Sequence, residues 1–209
     1  MNRPIPPGLT GRQIAGYSLV LPPGWARLPL RSGTDDAIQR VLDESFRGHA
    51  RDEAAPARRE LQQRLREMAD AARERSGLDL YLPTGPVHGV VVAASFIVSQ
   101  VAFDTVSDTP DPEHVVSLLV ADARASAAVT VDGAAGARSV TIEPPQAEAL
   151  DFGARRVDYV LPVPGDASQW IVVTFSTVGQ GDPADELADL LVELFDAIMS
   201  TFRWTTSSS

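Results

Sequence analysis

The sequence predicts an α+β fold, a mostly antiparallel β-sheet with helices packed on it, and three observations carry that expectation. First, Trp170–Thr177 places Ile171, Val173 and Phe175 at alternate positions, the period of a strand with one face buried. Second, the break Gly179-Gln180-Gly181 leads into Asp182, an N-cap acid, and Pro183, suited to a first helical turn. Beyond it Leu187, Leu190, Leu191, Leu194, Phe195, Ile198, Met199 and Phe202 recur at the spacing of one helix face laid on a sheet. Third, the order β, β, α, α, β, β, α, four strands and α contains consecutive strands with short turns. Short turns force antiparallel pairing.

Along the chain, residues 1–13 read as a flexible arm. Ile14–Leu21 is a first strand, stopped by Pro22-Pro23-Gly24, and Trp25–Leu30 continues extended because Pro29 and Gly33 exclude a helix. Thr34 is placed as the N-cap of a helix to Arg47, with Asp35 and Asp36 at the positive end of its dipole and a stripe of Ile38, Val41, Leu42 and Phe46. A second helix spans Ala57–Arg75, with a narrow apolar seam of Leu61, Leu65, Met68 and Ala72, and stops at Gly77. Residues 31–75 balance ten Arg against ten acids, so the 34–76 hairpin is strongly charged yet neutral, a solvated outer layer inserted into a single domain spanning 14–204.

Leu78–Leu82 is a strand, and Val87–Phe103 reads as one long buried strand without helix caps. Asp111 caps a short helix that starts at Pro112 and runs to Ala123. The remaining strands are Val129–Val131, Arg138–Ile142, Arg155–Val163 and Trp170–Thr177. The last two form a hairpin in which Val157, Tyr159 and Leu161 lie across from Ile171, Val173 and Phe175. Residues 205–209 read as a disordered tail.

Composition narrows the function classes. At 44% hydrophobic and 22% charged, the 209 residues can bury a sizeable core. No apolar run is long enough to span a bilayer, and the N-terminal residues lack the apolar segment of a secretory signal, so a cytoplasmic location is expected. The chain has no cysteine, which removes disulfides and thiolate chemistry. Its net charge of −10 is uneven: residues 1–104 hold 13 Arg and 12 acids, residues 105–209 hold 5 Arg and 16 acids. The acidic half repels phosphate backbones, so no nucleic-acid partner is expected.

Two segments carry a family resemblance. Tyr17-Ser18-Leu19-Val20-Leu21-Pro22-Pro23-Gly24-Trp25 resembles the strand and Pro-Gly-Trp start of the PsbP-like fold group, which includes LpqN-type lipoproteins. The closing strand followed by a helix ending Phe202-Arg203-Trp204 is similar to the end of that group. It is also similar to actinobacterial proteins ending in Phe-Ser-Thr, Leu-Phe-Asp-Ala-Ile and Trp, here Phe175-Ser176-Thr177, Leu194–Ile198 and Trp204. The resemblance covers the two ends and implies an α/β/α sandwich that binds other proteins. It implies no shared active site, and it allows a secretion accessory. Unlike the lipoproteins, this chain has no lipobox cysteine.

The motifs that suggest chemistry fall to simpler readings. Gly179-Gln180-Gly181-Asp182-Pro183-Ala184 matches a dinucleotide fingerprint, but Asp182, Asp185 and Glu186 put negative charge where a pyrophosphate would sit, and no second strand follows. His49, His88 and His114 stand on separate elements without metal-ligand spacing. The acidic groups around Asp108, Asp111 and Glu113 lack the pattern of a calcium loop. No catalytic residue, cofactor or metal is assigned, and the sequence leans away from an enzyme. The expected function is a non-enzymatic interaction or adaptor domain with a protein partner, the candidate contact residues being Trp25, Arg58, Arg59, Asp108, Asp111 and Trp204. The alternatives are a small hydrolase assembled from dispersed His, Ser and Asp residues, or a small-ligand carrier with an apolar cavity against Val87–Phe103. Replacing Leu191 or Phe195 with Asp is expected to unfold the protein. A cooperative thermal melt at the wild-type temperature in either variant would contradict the placement of the last helix.

Overall fold

The computed structural model describes residues 14–85, 92–102, 111–122, 126–144 and 153–206. The elements are β1 (Ile14–Ser18), β2 (Trp25–Pro29), α1 (Thr34–Ser45), α2 (Arg51–Glu74), β3 (Gly77–Pro83), β4 (Ala94–Ala102), α3 (Pro112–Asp122), β5 (Ser126–Val131), β6 (Ala134–Glu143), β7 (Ala154–Val163), β8 (Asp166–Thr177), α4 (Glu186–Ser200) and β9 (Arg203–Thr206). The predicted α+β class is what the structure shows. Seven strands form one antiparallel sheet in the order β2-β3-β4-β8-β7-β6-β5, and β1 pairs with β9 in a separate ribbon.

The chain builds the sheet from both edges inward. After α3 it enters at the edge strand β5 and meanders through β6 and β7 to β8, which closes against β4. The β7–β8 register joins Val157 to Phe175, Tyr159 to Val173 and Leu161 to Ile171, the pairs expected from alternation. Because side chains alternate across a strand, these residues share a face with Phe96 and Val98 of β4, and α4 covers that face with Leu191, Val192, Phe195, Ile198 and Met199. Phe195 is its centre, stacked on Phe175 at 4.9 Å, tilted against Phe96 at 5.5 Å and edge-on to Tyr159 at 5.7 Å.

The opposite face carries two smaller layers. Leu28, Leu80 and Leu82 pack with Ile38, Leu42 and Leu65 under α1 and α2. Ala137 and Trp170 pack with Val116 of α3. Helices therefore cover both faces of the sheet.

Several boundaries differ from expectation for local reasons. Gly33, in the left-handed region at φ 76°, is the N-cap of α1. Thr34 is inside the helix, and its hydroxyl donates to the Pro29 carbonyl at 2.6 Å. Helix α2 starts six residues earlier than predicted, at Arg51, and contains Pro56, which removes one backbone hydrogen bond inside it. Its buried seam runs through Ala69 in place of Met68, which is exposed. The N-cap of α4 is Asp185, which accepts from the Ala188 N–H at 2.6 Å. Asp182 instead caps the preceding turn through the Ala184 N–H. The buried face of α4 also differs from the expected one: Ala188 and Val192 are buried, and Leu190 faces outward.

Gly136 lies inside β6, where a Cβ would meet the Val160 carbonyl oxygen at 2.5 Å. Thr205 and Thr206, read as tail, pair with Gly16 and Ile14 in the β1–β9 ribbon. The arm at residues 1–13 and the first part of the Val87–Phe103 strand fall outside the described residues.

Candidate docking edge and charged clusters

Three arginine–carboxylate clusters brace the structure, two of them between the sheet and another element and one within the sheet. In the first, Asp79 sits at an inward position of β3 with its side chain 4% exposed. Arg27 on β2 donates to both Asp79 oxygens, Nε at 2.7 Å and Nη2 at 3.1 Å, and the Tyr17 hydroxyl on β1 donates to Asp79 Oδ2. Tyr17 and Tyr81 hydroxyls are 3.2 Å apart. A buried carboxylate is tolerable only when its lone pairs are filled this way. The cluster thus pins the ribbon to the sheet, helped by the stacking of Tyr17 on Phe202 at 5.5 Å.

In the second cluster, Arg138 on β6 grips Asp196 on α4 with two bonds of 2.9 and 2.8 Å, and the Tyr159 hydroxyl donates to the same carboxylate at 2.8 Å. The third lies on the opposite sheet face. There Arg156 bridges Asp158 and Glu143, and Thr174 donates to Asp158 at 2.6 Å. These arrangements are clamps: every arginine is committed to a carboxylate, and the tyrosines are held protonated. Burial, reinforced by neighbouring Tyr81 and Asp79, raises the Tyr17 pKa well above its usual 10.0. Burial pushes Tyr81 up to about 12, and burial with the Asp196 bond raises Tyr159. Neutral phenols donate hydrogen bonds and are poor nucleophiles. The sequence carries a signal for the first cluster, since Asp79 alternates with Leu78 and Leu80 at a position whose neighbour two on, Tyr81, faces the core.

The candidate contact residues separate in space. Trp204 is a core residue, 8% exposed, edge-on to Phe202 at 4.9 Å, with its indole N–H enclosed and unbonded. Trp25 is half-buried against Phe96 at 5.7 Å. Arg58 ties α2 to α1 through Asp43 at 2.6 Å and Gln39 at 3.2 Å, while its neighbour Arg59 is exposed. Asp111 is exposed and caps α3 by accepting from the Glu113 N–H at 3.1 Å. Asp108 and His88 fall outside the described residues. His49 and His114 are exposed on separate elements, His49 edge-on to Phe46. No group of three or more His, Asp or Glu positioned for a metal occurs among the described residues.

The feature that sequence reading missed is the edge of the sheet. β5 pairs only with β6, and among the described residues no other backbone bond reaches it. Its six residues, Ser126-Ala127-Ala128-Val129-Thr130-Val131, contain no charge and no proline, and Ala127, Ala128 and Thr130 are exposed. The opposite edge, β2, ends in Pro29 and carries Arg27. Proline and charge are the usual means of blocking an edge against further pairing. Among the described residues, one edge is blocked and the other is unpaired. The edge is legible only once strand order is known, because Val129–Val131 alone does not say which neighbour it lacks.

No family model matches the chain, and no curated protein matches it. Among solved structures it is similar to LpqN of Mycobacterium tuberculosis, described as involved in cell envelope biogenesis, over 94% of this chain and 87% of that one, at 11% identity and a TM-score of 0.49. At that identity and score the likeness bears on neither activity nor partner. No helix among the described residues is long and apolar enough to cross a membrane.

The tyrosines give a pH test. All three have pKa values raised in the folded state, so they favour folding up to pH 10, and that contribution is lost as pH climbs toward their folded values. Phenolate absorbance is expected to stay flat through pH 10 and to rise in step with loss of circular dichroism. A tyrosine that titrates normally while the fold persists would contradict the clamps.

Proposed function

We propose that this chain is a protein-interaction domain whose open β5 edge accepts an extended segment of a protein partner as an eighth strand. The observation that supports this reading is the asymmetry between the two sheet edges. An exposed strand offers a row of unpaired N–H and C=O groups, and strand addition uses them for affinity while side-chain pockets on either face set specificity. The small residues Ala127 and Ala128 leave room for an incoming backbone, and α3 beside the edge supplies one wall. The charged clusters fit a scaffold role in this reading, since they hold the sheet rigid behind the edge. A pre-organised edge binds with less ordering cost than a flexible one. A secretion accessory would be one setting for such a domain.

The test is a displayed library of random extended peptides selected on the wild-type protein, followed by affinity measurement on variants. Ala127→Lys and Ala128→Lys place charge on exposed edge positions without touching the core. Selected peptides are expected to lose roughly tenfold or more in affinity, about 1.4 kcal/mol, for either variant. Selection of no peptide, or of peptides that bind both variants as tightly as wild type, would defeat the reading.

A further inference from the structure

Helix α4 buries Ala188, Leu191, Val192, Phe195, Ile198 and Met199 against the sheet, so its outer face should be polar. It is not uniformly so. Leu190 is 54% exposed. Four and seven residues further on lie Leu194, half-buried, and Ala197, exposed, which places all three on one line up the helix. That line rises about 10 Å. One turn beyond, the Thr201 hydroxyl accepts the Val20 backbone N–H at 2.9 Å. Val20 is 68% exposed, so the ridge ends on a second outward apolar side chain.

Charge along this ridge is uncompensated. Glu186 and Glu193 lie at i−4 and i+3 from Leu190, both exposed and neither with a cation partner among the described residues. The other acids of the helix are treated differently: Asp189 pairs with Arg155, and Asp196 with Arg138. The remaining described arginines of the acidic half, Arg156 and Arg203, also face carboxylates. Among the described residues, Asp189 and Asp196 of α4 are neutralised by arginine, and the two glutamates beside the apolar ridge are not.

We infer that the Leu190–Leu194–Ala197 ridge, with Val20 at its end, docks a basic amphipathic helix of a protein partner. Leucines of the partner at helical spacing meet the ridge, and its Arg or Lys residues meet Glu186 and Glu193. Charge complementarity selects this occupant. An anionic membrane and a nucleic acid are repelled by the two glutamates, and a second copy of the chain would set acid against acid. The surface lies on the layer above the sheet face, so it is independent of the β5 edge and would give the domain two contacts.

The test uses two synthetic helical peptides with the same leucine spacing, one bearing Arg and the other Glu at the flanking positions. Binding to the full chain is read by fluorescence anisotropy over a range of salt. The Arg peptide is expected to bind and to weaken as salt rises, while the Glu peptide does not bind. Leu190→Ser and the double variant Glu186→Gln/Glu193→Gln should each weaken the Arg peptide tenfold or more. A control pair on α2, Glu60→Gln/Glu67→Gln, should leave it unchanged. All these positions are exposed, and a thermal melt of each variant is the check that it is folded; the glutamate pair stands alone if Leu190→Ser is not. Equal loss in ridge and control variants would reduce the effect to general attraction by an acidic protein. That result, or failure of the Arg peptide to bind, overturns the inference. Neither outcome touches the β5 variants, so the two readings fail separately.

Discussion

Everything in this structure depends on the burial of one aromatic centre. Phe195 holds α4 to the sheet by contacting Phe96, Phe175 and Tyr159, which come from three neighbouring strands. Truncating such a residue costs about 3–5 kcal/mol, a large part of the stability of an ordinary domain. Phe202, just past the helix, carries the same packing to Tyr17 and Trp204, so the β1–β9 ribbon is an extension of the helix's own core. The arginine clamps then fix orientation. Arg138–Asp196 sets the helix over the sheet, and Arg27–Asp79–Tyr17 sets the ribbon. Apolar burial supplies the free energy and the clamps supply the register.

That division explains what could be read from the sequence. Periodicity is a local signal, so the β7–β8 register and the apolar side of α4 followed from Val157, Tyr159, Ile171 and Phe195 alone. Where two residues compete for one role, the local signal fails. Asp182 and Asp185 are both competent caps, and the structure uses the second for α4 while the first caps the preceding turn. Thr205 and Thr206 look like tail because a four-residue strand has no period to detect; their partners lie near residue 15. The strand order is a long-range property. Nothing in Ser126–Val131 announces an edge, and nothing in Leu190 announces that it faces water.

The surface follows the same logic as the interior. Within the acidic half, each described arginine is spent on a structural carboxylate, and the unpaired negative charge that remains is a property of the outside. The proposed binding surfaces, the β5 edge and the apolar acidic ridge of α4, both lie on this outside. The three phenols inside it are held protonated by burial and by their hydrogen-bond partners.

The open edge is the claim on which the functional reading stands, and amide hydrogen exchange across Ser126–Val131 in the unliganded protein tests it most directly. An unoccupied edge predicts alternation along β5: amides bonded to β6 exchange slowly, and those pointing outward exchange near the unprotected rate. Uniform slow exchange over all six residues would mean that the edge is already covered, and the account of this protein as a strand-accepting domain would be wrong.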